Sequence, residues 1–391
     1  MKILIVAHEF PYPPNHGGRM DVWNKILSFK QQGHSIMLVT WTEIVKGDVP
    51  SNEDLKVVKD TVDELILFPI KRDLIRMLNL IRFPSFVGAR ILSSIELKKS
   101  IELAKQFGPN CVFVEQIYAG RVGLQFAKAL GIPCGLRLHN KEFDYMTGQL
   151  KLERNFKKRA AIFLACLHLK KFEESIIRSS DAYYDISQKD LAYWKDRGFK
   201  NGHWLPPLTL KSPILDTIEE NPNYDLCFLG NLNSPNNVDG VTWFINHIYL
   251  KVKLRISSLK LLIMGSNPCD AIKDLCSKYG IELISNPIDP AVFQRNSRIL
   301  VNPVRFGSGV NVKSIDMLFT SNQVVTTSVG IQGLPKSFEE TFFICDTDFA
   351  FSEAIVDILN EKIVKSTEIR GQLRSYFKPS QVDIVENTLV L

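Results

Sequence analysis

Residues 298–335 read RILVNPVRFGSGVNVKSIDMLFTSNQVVTTSVGIQGLP, and the order of residue types predicts strand, glycine loop, helix and strand. Ile299, Leu300 and Val301 form a short apolar run ending at Pro303, the pattern of a parallel strand covered on both faces. Phe306, Gly307, Ser308 and Gly309 follow, a turn whose small residues let backbone N–H groups approach an anion. Beyond it Val312, Ile315, Met317, Leu318 and Phe319 fall on and around one helical stripe, while Lys313 and Asp316, three apart, share another face. A cation and a carboxylate on the first turns of a helix suit a diphosphate and a sugar or ribose hydroxyl, respectively. A lone G-x-G also reads as an ordinary tight turn. The dinucleotide fingerprint fails, because Asn311 and Val312 stand where its third glycine belongs and the next strand ends in threonines.

At 391 residues the chain suits two domains rather than one core. Charged residues are 23% and hydrophobic residues 45%, which excludes disordered and fibrous classes. The seven cysteines include no C-x-x-C pair and sit mostly in apolar runs, as reduced core thiols do. No His, Asp or Glu cluster has metal-ligand spacing. The apolar run of residues 1–7 is too short for a signal peptide, and no run reaches the ~18 residues of a membrane span, so a cytoplasmic location is expected. The net charge of +6 is uneven: residues 1–205 hold 31 basic and 22 acidic residues, leaving the remainder at −3. A polyanion or an anionic membrane surface would suit that imbalance, as would a solvated basic face.

Working outward, Lys2–Ala7 reads as a first, central strand that empties into HEFPYPPNHGGR, a loop with three prolines and the pair Gly17-Gly18, before a helix from about Met20 to Gln32. By itself the pair reads equally as a surface turn needing φ > 0. Further strands are expected at 35–41, 64–70, 111–115, 134–138 and 182–186, then 225–230, 259–265, 281–285, 323–327 and 341–345, with helices between them. Two stretches, Lys71–Arg90 and Lys151–Lys171, interleave basic and apolar residues. They read either as surfaces for anionic lipid or as core-facing helices with snorkelling lysines.

Taken together, PVRFGSGVNVKSID with VVTTSVGIQGL, FLGNLNSPNN followed by Trp243-Phe244, the Gly17-Gly18 loop and HNKEF at residues 139–143 resemble the GT-B glycosyltransferases, in particular the large retaining group related to sucrose and mannosyl transferases. The resemblance covers nearly the whole chain, most specifically residues 10–33, 134–145 and 223–335. It implies an α/β architecture of two Rossmann-like domains facing across a cleft. An acceptor-side domain would span 1–206 and a donor domain 207–374, with a last helical segment, 375–391, crossing back. The implied reaction moves a sugar, with retention, from a nucleotide diphosphate-sugar to a hydroxyl of a glycan or lipid-linked acceptor in polysaccharide or glycoconjugate synthesis, with no metal or other cofactor and no nucleic acid. His139, Lys313 and Arg305 take the catalytic roles. Gly17, Gly18, Gly230, Asn231, Gly307, Ser308, Gly309, Val310 and Asp316 bind the donor, and Arg19, Glu142 and Asp144 lie on the acceptor side.

Two departures stand out. Many relatives place two glutamates eight positions apart, where this chain has Ser308 and Asp316, and many carry an arginine and a lysine after the second domain's first strand, where no cation lies between Leu226 and Thr242. The phosphate charge then falls to Arg305, Lys313 and backbone amides. A non-catalytic nucleotide-sugar binding module and a GT-B nucleotide-sugar epimerase are the alternative readings. The basic first half suggests peripheral attachment at the inner membrane face.

Overall fold

A computed structural model describes residues 1–43, 49–70, 79, 82–153, 155–210, 218–307 and 309–390. The chain divides into two compact units, one of Met1–Leu210 with Phe377–Leu391 and one of Lys211–Tyr376.

The first unit holds a seven-stranded, wholly parallel sheet ordered β3-β2-β1-β4-β5-β6-β7. The strands are β1 (Lys2–Ala7), β2 (Ser35–Thr42), β3 (Glu64–Pro69), β4 (Cys111–Glu115), β5 (Cys134–Leu138), β6 (Ala182–Asp185) and β7 (Gly202–Trp204). Continuous apolar runs produce this arrangement, because helices cover both faces: Ile3 to Ala7 and Val112 to Val114 are essentially inaccessible. β7 carries too short a pattern to be read from the sequence. It depends on a tertiary fit, since a Cβ at Gly202 would lie 2.2 Å from the Tyr183 ring. The helix Ile117–Leu130 stops at Gly131, whose φ of +67° ends it in the left-handed conformation. Helix Asp383–Leu389 belongs to this unit, burying Val385 and Leu389 in the same core as Ile3, Ile5 and Phe113.

The second unit has a six-stranded parallel sheet ordered β10-β9-β8-β11-β12-β13. Its strands are β8 (Tyr224–Leu229), β9 (Leu261–Gly265), β10 (Glu282–Ser285), β11 (Ser297–Asn302), β12 (Gln323–Thr326) and β13 (Phe343–Ile344). Helix Pro235–Trp243 runs on through a π-helical turn, Phe244–Tyr249, whose Phe244 and Ile248 are fully buried with Phe351. The helix after the glycine loop is shorter than its apolar stripe: Val312–Met317 ends where Leu318 and Phe319 bond back to carbonyls three residues earlier. Arg370 is inaccessible and donates to the carbonyls of Thr320, Asn322 and Thr341, tying helix Glu368–Arg374 to this core.

In each sheet the chain runs outward in one direction from its first strand, then returns beside that strand and runs outward in the other. The crevice at the C-terminal ends of β1 and β4, and that at the ends of β8 and β11, are therefore switch points, where open parallel sheets bind ligands.

Candidate active site

At the switch point of the first unit, charged side chains fill the sheet edge. Helix Gly17–Gln31 presents Asp21 and Lys25, one turn apart, to the ends of β4 and β5. The Lys25 ammonium, fully buried, contacts Asp21 Oδ2 at 2.9 Å and Glu115 Oε1 at 2.8 Å. Arg137 takes both Asp21 oxygens, at 3.0 and 3.2 Å, and also donates to the Leu205 carbonyl. His139 Nε2 completes the cluster, 3.1 Å from Asp21 Oδ2 and 3.3 Å from Glu115 Oε2. Two carboxylates and three basic groups thus share one buried volume. Burial opposes ionisation of Asp21, yet Arg137, Lys25 and His139 hold its carboxyl well below the usual range. Burial likewise opposes the His139 imidazolium, and its bonds to Asp21 and Glu115 outweigh that, raising its pKa above 6.5. Asp21, Glu115 and His139 bring ligand atoms within 4.8 Å of one another, as a metal site would. The Lys25 ammonium already bridges their carboxylates.

The loop after β1 adds a second layer. Glu9 lies 3.3 Å from Arg19 Nε and 3.5 Å from His16 Nε2, and the His16 ring accepts the Arg19 N–H at the start of the helix. Gly17 and Gly18 form the first turn of that helix, not a left-handed turn, and a Cβ on Gly18 would make only ordinary contacts. At Gly18, glycine is not demanded by the fold. Gln116, directly after β4, has φ +72°, a strained value for a non-glycine residue beside Glu115. Glu142 is 5% exposed, and its Oε1 accepts the Tyr118 hydroxyl at 2.7 Å. Burial raises its pKa. Asp144 is exposed and pairs with Lys141 at 2.9 Å. Arg90, at the end of a stretch that reads either as lipid-facing or as core-facing, is buried and donates to the carbonyls of His8 and Phe86; residues 71–78, 80 and 81 of that stretch lie outside the described residues.

The switch point of the second unit is differently furnished. Lys313, half-buried on Val312–Met317, donates to Asn237 Oδ1 at 2.7 Å and lies 4.4 Å from the Phe228 ring centroid. Among the described residues no carboxylate pairs with it, and burial alone lowers its pKa to about 7. Asn237 Nδ2 in turn donates to the Asn231 carbonyl, and a Cβ on Gly230 would stand 3.2 Å from the Lys313 ammonium. Gly230, Asn231 and Lys313 are thus brought together by Asn237. Gly309 has φ +67°, with Val310 next, and the Gly307 carbonyl accepts from Gln332 at 3.4 Å. Ser308 lies outside the described residues. Asp316 sits one turn beyond Lys313. Arg305 is not a free cation: it grips Asp239 at 2.7 and 3.0 Å on the surface. The glycine loop is braced from below, where Asn302 donates to Ser314 at 2.9 Å and Ser314 donates to the Gly330 carbonyl at 2.6 Å.

Sequence reasoning passed over Asp21, Lys25, Glu115, Arg137, Asn237 and Ser314. The signal for the first four was present, since each is a charge set inside an otherwise apolar strand or helix face.

No protein-family model matches the chain. An uncharacterized 44.6 kDa protein in the cps region of Klebsiella pneumoniae is 28% identical over 370 residues, covering 91% of this chain and 90% of its own. Sucrose-phosphate synthase from Thermosynechococcus elongatus aligns with a TM-score of 0.68 at 16% identity over 99% of this chain and 97% of its own. HepE of Anabaena, in complex with UDP, aligns at 0.65 with 10% identity over 99% of both chains. The lipopolysaccharide outer core galactosyltransferase WaaB in its apo form aligns at 0.60 with 12% identity over 99% of this chain and all of its own. Two parallel sheets of this order, matched from end to end by these solved structures, give the chain the GT-B fold of glycosyltransferases.

Proposed function

We propose that the chain is a glycosyltransferase that moves a sugar from a nucleoside diphosphate donor to a hydroxyl of a glycan or lipid-linked acceptor, with retention and without a metal ion. The observation that carries this reading is Lys313, an ammonium held by an amide oxygen and an aromatic face, beside Gly230 and with burial alone acting on its pKa. A diphosphate is the ligand such a cation accepts, and it would restore the ammonium's charge. HepE, which has this fold, binds UDP, and the curated relative comes from a cps region.

In the proposed reaction the C–O bond from the sugar to the diphosphate breaks, the acceptor's hydroxyl oxygen bonds to the same sugar carbon, and a leaving phosphate oxygen takes the proton of that hydroxyl. Lys313 and the Gly309 and Val310 amides hold the charge that develops on the leaving group, and Arg305 contributes after exchanging Asp239 for phosphate. Asp316 is assigned to a donor hydroxyl, His139 to the transferred sugar, and Arg19, Glu142 and Asp144 to the acceptor side. A thermal-shift screen of nucleotide sugars, followed by measurement of nucleoside diphosphate release, tests this. A donor that shifts melting but is never cleaved would make the chain a binding module instead.

We also propose that the first unit meets its acceptor at an anionic membrane surface. Helix Phe156–Cys166 exposes Phe156 (83%), Phe163 (55%) and Leu164 (51%) together with Lys157, Lys158 and Arg159. Among the described residues no helix is long and apolar enough to cross a membrane. Sedimentation with anionic vesicles should carry the protein down at low salt, less so after Lys157→Glu and Lys158→Glu. Wild-type protein remaining in the supernatant would point to an acceptor free in solution.

A further inference from the structure

We propose that Glu173 is a positioning residue that fixes the loop from His139 to Glu142, an inference that rests on the glycosyl-transfer reading above. Glu173 is on helix Leu169–Ser179 and is 1% exposed. One carboxylate oxygen accepts the backbone N–H of Glu142 at 2.7 Å and the other that of Phe143 at 3.3 Å. These are the first two N–H groups of helix Glu142–Leu152, donors that a helix leaves without internal partners. The residue at the cap position, Lys141, supplies no side-chain bond to them; its ammonium reaches Asp144 and Asp190 instead.

A serine or aspartate at the cap would bond the N–H of Phe143 or Asp144 from within the segment and leave the helix free to shift as a body. A carboxylate borrowed from a neighbouring helix does more, because it sets where Glu142 begins relative to the rest of the unit. That point lies three residues beyond His139, and Tyr118 holds the Glu142 side chain at a second place. The loop bearing His139 is thereby clamped between the ion cluster at one end and Glu173 at the other. Such a clamp is built against resistance. Burial pushes the Glu173 carboxyl up to about 8, with the two backbone bonds pulling it down and Glu142 and Asp144 pushing it further up.

Glu173→Gln preserves size while turning one acceptor into a donor that faces an N–H. In the full-length protein, with the nucleotide sugar found by the screen, kcat should fall about tenfold while the donor KM stays within about threefold. Amide hydrogen exchange across residues 139–147 should quicken by about tenfold. Adding Lys141→Ser supplies a local cap, which should slow exchange again without recovering kcat. The proposal is overturned if Glu173→Gln keeps wild-type kcat, if kcat and KM worsen in proportion, or if the local cap restores turnover. Should wild-type protein turn over no nucleotide sugar, the functional reading fails by itself. The exchange measurement then decides the clamp alone, with faster exchange supporting it and unchanged exchange removing it.

Discussion

The two switch-point crevices have the same topology and opposite electrostatics. In the first unit Asp21, Glu115, Lys25, Arg137 and His139 satisfy one another in a buried volume, whereas in the second Lys313 has, among the described residues, an amide oxygen and an aromatic face. A saturated ion cluster holds a sheet edge in one arrangement, because removing any member strands a buried charge. A half-buried cation that no described carboxylate pairs with adds nothing comparable to stability, and under the proposed function it is the group that meets the donor's diphosphate. Among the described residues, charge is therefore balanced inside the first crevice and left unbalanced in the second.

The sharpest way to break this comparison is to delete the matching lysines. Lys25→Met should destabilise the first unit by about 4 kcal/mol in urea unfolding, since Asp21 and Glu115 lose the ammonium between them. Lys313→Ala should leave the second unit no less stable and instead lower kcat/KM about a hundredfold, the loss of ~3 kcal/mol from one preorganised cation at developing charge. Swapped outcomes, with Lys25 affecting mainly turnover and Lys313 mainly folding, would invert the assignment of roles. His139→Ala tests whether the cluster also serves the reaction. It should reduce kcat by about tenfold with donor affinity nearly unchanged, and an equal loss in both would make the ring purely structural.

The smallest expected effect is a difference in pH response. The raised pKa of His139 means its stabilising contribution is complete below 6.5 and is lost as pH rises through the folded-state value. For Lys313, whose pKa falls from 10.5 to about 7, the unfolded chain keeps a proton that the folded unit has released, so stability rises with pH across that window. A nucleoside diphosphate that requires the ammonium should then bind with proton uptake above about pH 7. Calorimetric titration at pH 8 in two buffers of different ionisation enthalpy should reveal it, and Lys313→Met should abolish it. Identical apparent enthalpies in both buffers would mean that Lys313 is already charged.

Much of this was written in local patterns. Apolar runs bounded by glycine and proline located β1, β4, β5 and β8, and residues 298–335 announced the strand, the glycine turn and the cation that follows it, because buried parallel strands and left-handed turns impose their residue types locally. Position along the chain said nothing of pairing. That Asp21 and Lys25 meet Glu115, Arg137 and His139 follows from β1 lying between β2 and β4, which only the closed sheet decides. The same is true of Asn237 reaching Lys313, of Asp239 occupying Arg305, and of Glu173 capping a helix that starts 31 residues earlier. Periodicity reports whether a side chain is buried. Whether a buried charge has a partner depends on groups distant in sequence, and that was settled by tertiary structure alone.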